Sequence, residues 1–164
     1  MIRAFFMTMT LIGMGLLVYA GWIEPRQLHI RDIEVGTGDR LVRIALITDI
    51  HIGGLHVPPD RVAALVERIN AQSPDIVLLP GDFVNGHTPR REMTAAGLAA
   101  LSDGFSYLSA LTVPAIATTG NHDVWHDQAA VTRMLDAAGV RVIDNSAVRL
   151  LGLCIVGVAD FTTD

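Results

Sequence analysis

Three short polar motifs, each at the end of an apolar run, constrain this chain more than any other feature. They are Asp49-Ile50-His51, Gly81-Asp82 and Gly120-Asn121-His122-Asp123. The intervals between them, roughly 30 to 40 residues, match one strand–helix–strand unit. Because ligands in open α/β sheets gather beyond the carboxyl ends of the strands, we expect the three motifs to meet at one sheet edge. Asp, His and Asn side chains are ligands for divalent metal ions.

The sequence between the motifs alternates between strand and helix patterns. Strands of the buried type are expected at 41–48, 76–79 and 114–119, helices at about 58–72, 90–111 and 124–138, and shorter strands at 140–143, 147–151 and 153–158. A weaker alternation over 28–35 predicts a short edge strand. Strands alternating with helices predict an α/β fold, with a sheet packed between helices.

The individual motifs differ in how strongly they indicate a metal site. Asp49 and His51 are two residues apart, so in an extended segment both point to one face and can reach one ion. Asp82 follows a glycine that would let a metal or substrate approach the backbone, although a simple turn capped by Asp82 explains the same pair. Asn121 offers a neutral amide oxygen, whereas the alternative for its motif is a turn with Asp123 capping a helix.

The amino-terminal segment is uncharged and apolar over residues 4–20, and the run extends to residue 23. That length suits a membrane span, and Tyr19 and Trp22 would lie at the membrane interface. A cleaved signal sequence and a buried core helix are the alternatives. We therefore expect an anchor at 1–23, a connector at 24–40 and a catalytic domain at 41–164, held at the cell membrane by a single pass and lying outside the cytoplasm.

Charge and cysteine content exclude some classes of function. The 17 acidic and 12 basic residues give a net charge of −5, and no basic block is present. A general nucleic-acid-binding surface is therefore not expected. The single cysteine, Cys154, lies in an apolar run and is expected to be buried. It excludes an intrachain disulfide and a cysteine-based zinc site.

In order and spacing, the motifs resemble those of the calcineurin-like metallophosphoesterases, whose signature runs D-x-H, G-D-x-x-[DN] and G-N-H-[DE]. The matching segments are Asp49 to His51, Gly81 to Asn85 and Gly120 to Asp123. The resemblance covers residues 41–160 and implies a sandwich of two sheets flanked by helices, here preceded by a transmembrane helix. The amino-terminal anchor resembles the membrane-bound bacterial branch of that superfamily, which hydrolyses phosphodiesters or lipid-linked phosphates.

The resemblance also implies a role for each motif residue. Asp49 and His51 would hold one metal ion, Asp82 would bridge two ions, and Asn121 would hold the second. His122 would act beside the scissile phosphate as a general acid or charge stabiliser, with Asp123 fixing its ring. Two divalent ions, manganese by preference and iron or zinc as alternatives, would clamp the phosphate and activate a water.

The match is incomplete after Asp123. The family pattern continues with a lone His and then G-H-x-H, whereas His126 is the one histidine in residues 124–164. We therefore expect an amino-terminal part of a longer enzyme, with the sandwich incomplete at its carboxyl end. The substrate would be a phosphoester: a nucleotide, a phospholipid, a lipid-linked pyrophosphate and a cell-wall phosphodiester are all compatible with these ligands, and the anchor favours lipid or envelope origin. The alternative function is a noncatalytic, membrane-anchored binding module that keeps the front half of the fold.

Residues next to the motifs are weaker candidates for a role in the site. His87 lies two residues after Asn85, where the second motif ends, and could contribute to the site. His126 is expected at the surface, and Trp125 is expected to pack the third helix.

Overall fold

The protein is described by a computed structural model over residues 2–36 and 41–160. Internal contacts divide the chain into two compact units, Met1–Gly38 and Asp39–Asp164.

The first unit is dominated by helix α1, Ile2–Val18, which continues through a π-helical turn, Tyr19–Ile23, and a 3₁₀ turn, Glu24–Arg26. The combined helix Ile2–Arg26 is long and apolar enough to cross a membrane, by length and composition alone, and a signal sequence passes the same test. No residue of α1 is buried. One helix with the properties of a membrane span is therefore present at the amino terminus.

The edge strand predicted at 28–35 does not form. Residues 27–36 have no regular secondary structure, and Ile33 and Val35 are exposed. An alternating pattern forms a strand only where a neighbouring strand pairs its backbone groups. In the described part of the chain these residues pair with no strand.

The second unit contains a four-stranded parallel sheet and a hairpin. The sheet has the order β1-β2-β3-β4, and its strands are Ile44–Leu46, Ile76–Pro80, Ala115–Thr118 and Val140–Val142. Strands β5, Ser146–Leu150, and β6, Leu153–Gly157, pair antiparallel in a separate sheet. The predicted α/β class is confirmed.

Three helices connect the parallel strands: α2, Pro59–Ala71, α3, Ala95–Ser106, and α4, Asn121–Ala137. Short 3₁₀ turns, Arg90–Glu92 and Tyr107–Ala110, flank α3 within the longer helix predicted at 90–111.

Each helix begins where its sequence provides a start signal. Helix α2 has proline at its first position, and the Thr94 hydroxyl caps α3 by accepting the Gly97 N–H at 3.1 Å. Helix α4 begins at Asn121, earlier than predicted, and is interrupted at Asp127 (φ 176°, ψ 90°). The Asp127 carboxylate accepts the Ala130 N–H at 3.0 Å, so it caps a second helical segment.

The two faces of the parallel sheet are covered differently. One face buries Val77, Leu79, Ala117 and others against the helices. The opposite face packs Ile76, Ile116 and Ile143 towards the hairpin. The main core therefore lies between the sheet and its helices.

Two burial predictions were wrong. Strand β1 was expected to be buried, but Leu46 is 65% exposed, because β1 is the edge strand of the sheet and one of its faces is only partly covered by described residues. Cys154 was also expected to be buried, yet it is exposed, because it takes one of the outward-facing alternate positions of β6.

Asn70 joins the end of α2 to the segment that leads into β3. Its amide donates to the Ala110 carbonyl at 2.8 Å, and its oxygen accepts the Thr112 N–H at 3.2 Å. We expect Asn70→Ala to lower the free energy of unfolding by about 1–2 kcal/mol, because two backbone groups lose their partner. Urea denaturation measures this loss. Gln72→Ala, at an exposed position two residues on, should change stability little, and equal effects of the two substitutions would contradict the assignment.

Candidate metal centre

Backbone hydrogen bonds hold the first and second motifs side by side beyond the ends of β1 and β2. The Asp49 N–H donates to the Gly81 carbonyl at 3.3 Å, and the His51 N–H donates to the Asp82 carbonyl at 3.0 Å. Parallel pairing thus continues past the strands into the motif loops. The two loops are consequently fixed to each other by backbone contacts, and their side chains project from a common edge.

Three of the predicted metal ligands have left-handed backbone conformations. The φ angles are 55° at Asp49, 51° at His51 and 54° at Asp82. Non-glycine residues adopt this region at a cost, and such residues cluster at active sites and ligand clamps. The expected explanation for the Asp49/His51 pair, strand alternation, is therefore wrong, since β1 ends at Leu46. Their side chains still meet, with Asp49 Oδ1 3.8 Å from His51 Nε2.

The second and third motifs pack at a glycine. A Cβ atom at Gly120 would lie 2.2 Å from Asp82 Oδ1 and 2.6 Å from the Asp82 nitrogen. That same Oδ1 accepts the His122 N–H at 3.0 Å. The missing side chain of Gly120 is thus what admits the Asp82 carboxylate to the amino terminus of α4.

His51, Asp82 and His122 form a group that can hold a metal ion. Each is half-buried and offers one ligand atom, and these atoms lie within 4.8 Å of one another. His51 Nδ1 is buried and has no hydrogen-bond partner among the residues that the structure describes. Because buried polar atoms normally have partners, an unpaired imidazole nitrogen in a group that includes a carboxylate fits a divalent cation.

Asp49 lies next to this group on the first-motif loop, and Asn121 directly precedes His122 at the start of α4. The Asp49 side chain is 58% exposed and is in contact range of His51. Asn121 is half-buried and is the first residue of α4, directly after Gly120. All four residues expected to bind metal therefore belong to the three motifs, which follow the strands at one edge of the sheet.

The ring of His122 is held by the second loop. Its Nδ1 lies 2.8 Å from the Gly86 carbonyl oxygen. A carbonyl only accepts, so Nδ1 carries the proton and Nε2 is left for a substrate or metal. Asp123 was predicted to fix this ring, but the ring is held by the Gly86 carbonyl oxygen instead.

Asp123 instead holds the loops together. It is fully buried; Oδ1 accepts the N–H groups of Phe83 and Val84 at 2.9 and 3.1 Å, and Oδ2 accepts the Gly120 N–H at 2.9 Å. Burial raises the pKa of this carboxyl, while the three backbone donors oppose the shift. Asp123 thus fixes the geometry between the second and third motifs.

Two residues of α4 lie differently from what the sequence indicated. His126 was expected at the surface but is 5% exposed, and its Nδ1 lies 3.2 Å from the Thr88 carbonyl oxygen. Trp125 was expected to pack the helix but is 41% exposed. The position of His126 four residues after His122, and so on the same helix face, was a signal that sequence reasoning did not use.

Comparison with known proteins agrees with this geometry. Residues 42–156 match the family model of the calcineurin-like phosphoesterases. An uncharacterized metallophosphoesterase of Helicobacter pylori is 31% identical over 143 residues, which are 87% of this chain and 36% of that protein. A putative metallophosphoesterase of Caenorhabditis elegans is 32% identical over 127 residues, 73% of this chain and 24% of that protein.

Among solved structures, the nuclease MPE of Pseudomonas putida aligns with 24% identity and a TM-score of 0.41, covering 66% of this chain and 50% of that one. The present chain spans about a third of the length of the Helicobacter relative. Since the family model covers most of the chain and its three motifs converge on one edge of the sheet, this protein belongs to the calcineurin-like phosphoesterase family.

Proposed function

We propose that the protein hydrolyses phosphodiesters or lipid-linked phosphates at a centre of two divalent metal ions, with manganese preferred. The observation that carries the proposal is the convergence of His51 and Asp82, on loops with left-handed backbone, with His122 at the start of α4. Membership of the family supports metal-dependent phosphoester hydrolysis in general. The chain spans about a third of its Helicobacter relative, so the activity is proposed for the complete polypeptide that contains these residues.

Asp49 and His51 would hold one ion, Asp82 would lie between the two, and Asn121 would hold the other. When bound, such a pair supplies Lewis acidity that activates a water and offsets charge on the phosphate. A bridging carboxylate suits this position because it offsets part of the positive charge. The Asp82 carboxylate is already oriented by the His122 N–H.

His122 would act on the leaving oxygen. Its Nδ1 proton is engaged by the Gly86 carbonyl, so in the imidazolium form Nε2 is the nitrogen that would deliver a proton or stabilise the departing charge. Its place within 4.8 Å of the other two ligand groups is also compatible with a metal-ligand role. Loss of rate without loss of metal in His122→Gln would support the acid role. Asp123 would serve by holding the loops, as its three backbone contacts suggest.

The amino-terminal helix would anchor the enzyme at the cell membrane, with the catalytic unit outside the cytoplasm. The length and composition of Ile2–Arg26 support a span. The Arg26 guanidinium lies 3.5 Å from the centre of the Trp22 ring, a pairing suited to the membrane interface. An anchor of this kind favours substrates of lipid or envelope origin.

The test is metal-dependent hydrolysis of bis(p-nitrophenyl) phosphate by the full-length protein in detergent. We expect a chelator to abolish turnover and Mn²⁺ to restore it. His51→Ala should weaken Mn²⁺ binding by at least about 10–100-fold, the loss that substitution of a residue supporting a metal ligand already causes. His29→Ala, an exposed histidine of the connector, is the control. Unchanged metal content and rate in His51→Ala would contradict the proposal, and partner binding without metal would favour the binding-module alternative.

A further inference from the structure

Two exposed rings stand beside His122. The Trp125 ring centroid lies 5.2 Å from that of His122 and 4.5 Å from that of His87, and the His87 and His122 centroids are 4.8 Å apart. We call His87, His122 and Trp125 the aromatic wall. His87 is exposed, and Trp125 is 41% exposed although it is the largest apolar side chain of α4. A single exposed aromatic residue is common, but a continuous set of rings next to a candidate site is not explained by packing alone.

The loop that carries His87 is fixed on both sides of that residue. The Gly86 carbonyl is bound by His122 at 2.8 Å, and the Thr88 carbonyl lies 3.2 Å from Nδ1 of the buried His126. Both bonds come from α4, the helix that also carries Trp125. The rings of the wall are therefore positioned before a ligand arrives, which lowers the entropic cost of binding.

We propose that the aromatic wall binds a planar aromatic or heteroaromatic group attached to the substrate phosphate. The inference rests on the proposed function. His122 belongs to both the metal group and the wall, so a phosphate held at the metal group carries its ester substituent alongside Trp125 and His87. Aromatic rings attract one another in offset and edge-to-face arrangements, and tryptophan presents the largest such surface. A short alkyl substituent offers no comparable surface.

The consequence is tighter binding of aryl or nucleoside-type phosphoesters than of phosphoesters whose only substituent is a short alkyl group. Stacking of one ring on an aromatic side chain typically raises affinity by about tenfold or more. Inorganic phosphate, which has no ring, should bind with the same affinity whether or not Trp125 and His87 are present. This difference separates a substrate-binding role from a purely structural one.

The experiment is calorimetric binding of three probes to the full-length protein loaded with Mn²⁺: inorganic phosphate, methyl phosphate and phenyl phosphate. We expect phenyl phosphate to bind about tenfold more tightly than methyl phosphate. Trp125→Ala should remove that advantage while leaving the affinity for inorganic phosphate unchanged, and Trp125→Phe should keep most of it. Tyr107→Ala, which removes an exposed aromatic ring from another element, is the matched control.

A second readout does not depend on turnover. In a Trp22→Phe background, binding of p-nitrophenyl phosphate should quench the fluorescence of Trp125, and the quench should be lost when Trp125 is also replaced by Phe. Equal affinity for phenyl and methyl phosphate would overturn the inference while leaving the proposed function in place. An equal loss of affinity for all three probes in Trp125→Ala would do the same. Failure of inorganic phosphate to bind in the presence of Mn²⁺ would instead count against the proposed function, and the inference would fall with it.

Discussion

Adding one methyl group at Gly120 is expected to lower the proposed phosphoesterase activity by at least about 100-fold, the loss that a displacement of about 1 Å can cause. In Gly120→Ala the new Cβ would lie 2.2 Å from Asp82 Oδ1 and 2.6 Å from the Asp82 nitrogen. Both atoms are too close for any van der Waals contact, so the carboxylate and the backbone of Asp82 must withdraw by about 1 Å. The effect is a steric clash and not backbone strain, because φ at Gly120 is −107° and alanine adopts that conformation freely.

Metal titration and steady-state kinetics on the full-length protein measure this loss. Gly97→Ala is the matched control, because Gly97 lies in the first turn of α3 and its Cβ would meet only the flexible end of Met93 and the Thr94 hydroxyl. Thermal unfolding distinguishes a damaged site from a damaged fold. A folded Gly120→Ala protein with full metal affinity and rate would show that Asp82 is not a ligand.

The sequence predicted the order of elements well because each is marked by local signals. Pro59 at the start of α2 and Thr94 before α3 lie where capping chemistry requires them. Strand ends were also predictable, since glycine and polar residues follow the apolar runs. The segment 28–35 failed because alternation indicates a strand only when a partner exists, and pairing is a long-range property.

The sequence predicted which residues belong to the candidate site, but not the contacts that bring them together. Asp49 and His51 were identified as a pair, yet a left-handed backbone, and not strand alternation, brings them together. The contact between His122 and Gly86 joins residues 36 positions apart, and no local pattern encodes it. The burial of His126 likewise depends on where the 86–88 loop returns to α4.

Replacing the buried Asp123 by asparagine is expected to lower the free energy of unfolding by about 3 kcal/mol, because hydrogen bonds to a charged group contribute about 1.5–3 kcal/mol each. The native carboxylate accepts three backbone N–H groups, from Phe83, Val84 and Gly120. An asparagine side chain has one oxygen, so its NH₂ group must face at least one of these donors. The loss of hydrogen bonds should therefore destabilise the second and third motifs together.

Asp136→Asn is the matched control, because it removes the same charge from an exposed position near the end of the same helix. It should change stability by less than about 0.5 kcal/mol, as surface substitutions usually do. Urea denaturation measures both variants, and metal titration of the folded fraction measures the site. Since Asp123 fixes Gly120 against Asp82, Asp123→Asn should also weaken metal binding in molecules that remain folded. Stability and metal affinity equal to those of the native protein would mean that the loops are held by their backbone pairing alone, and that Asp123 is dispensable.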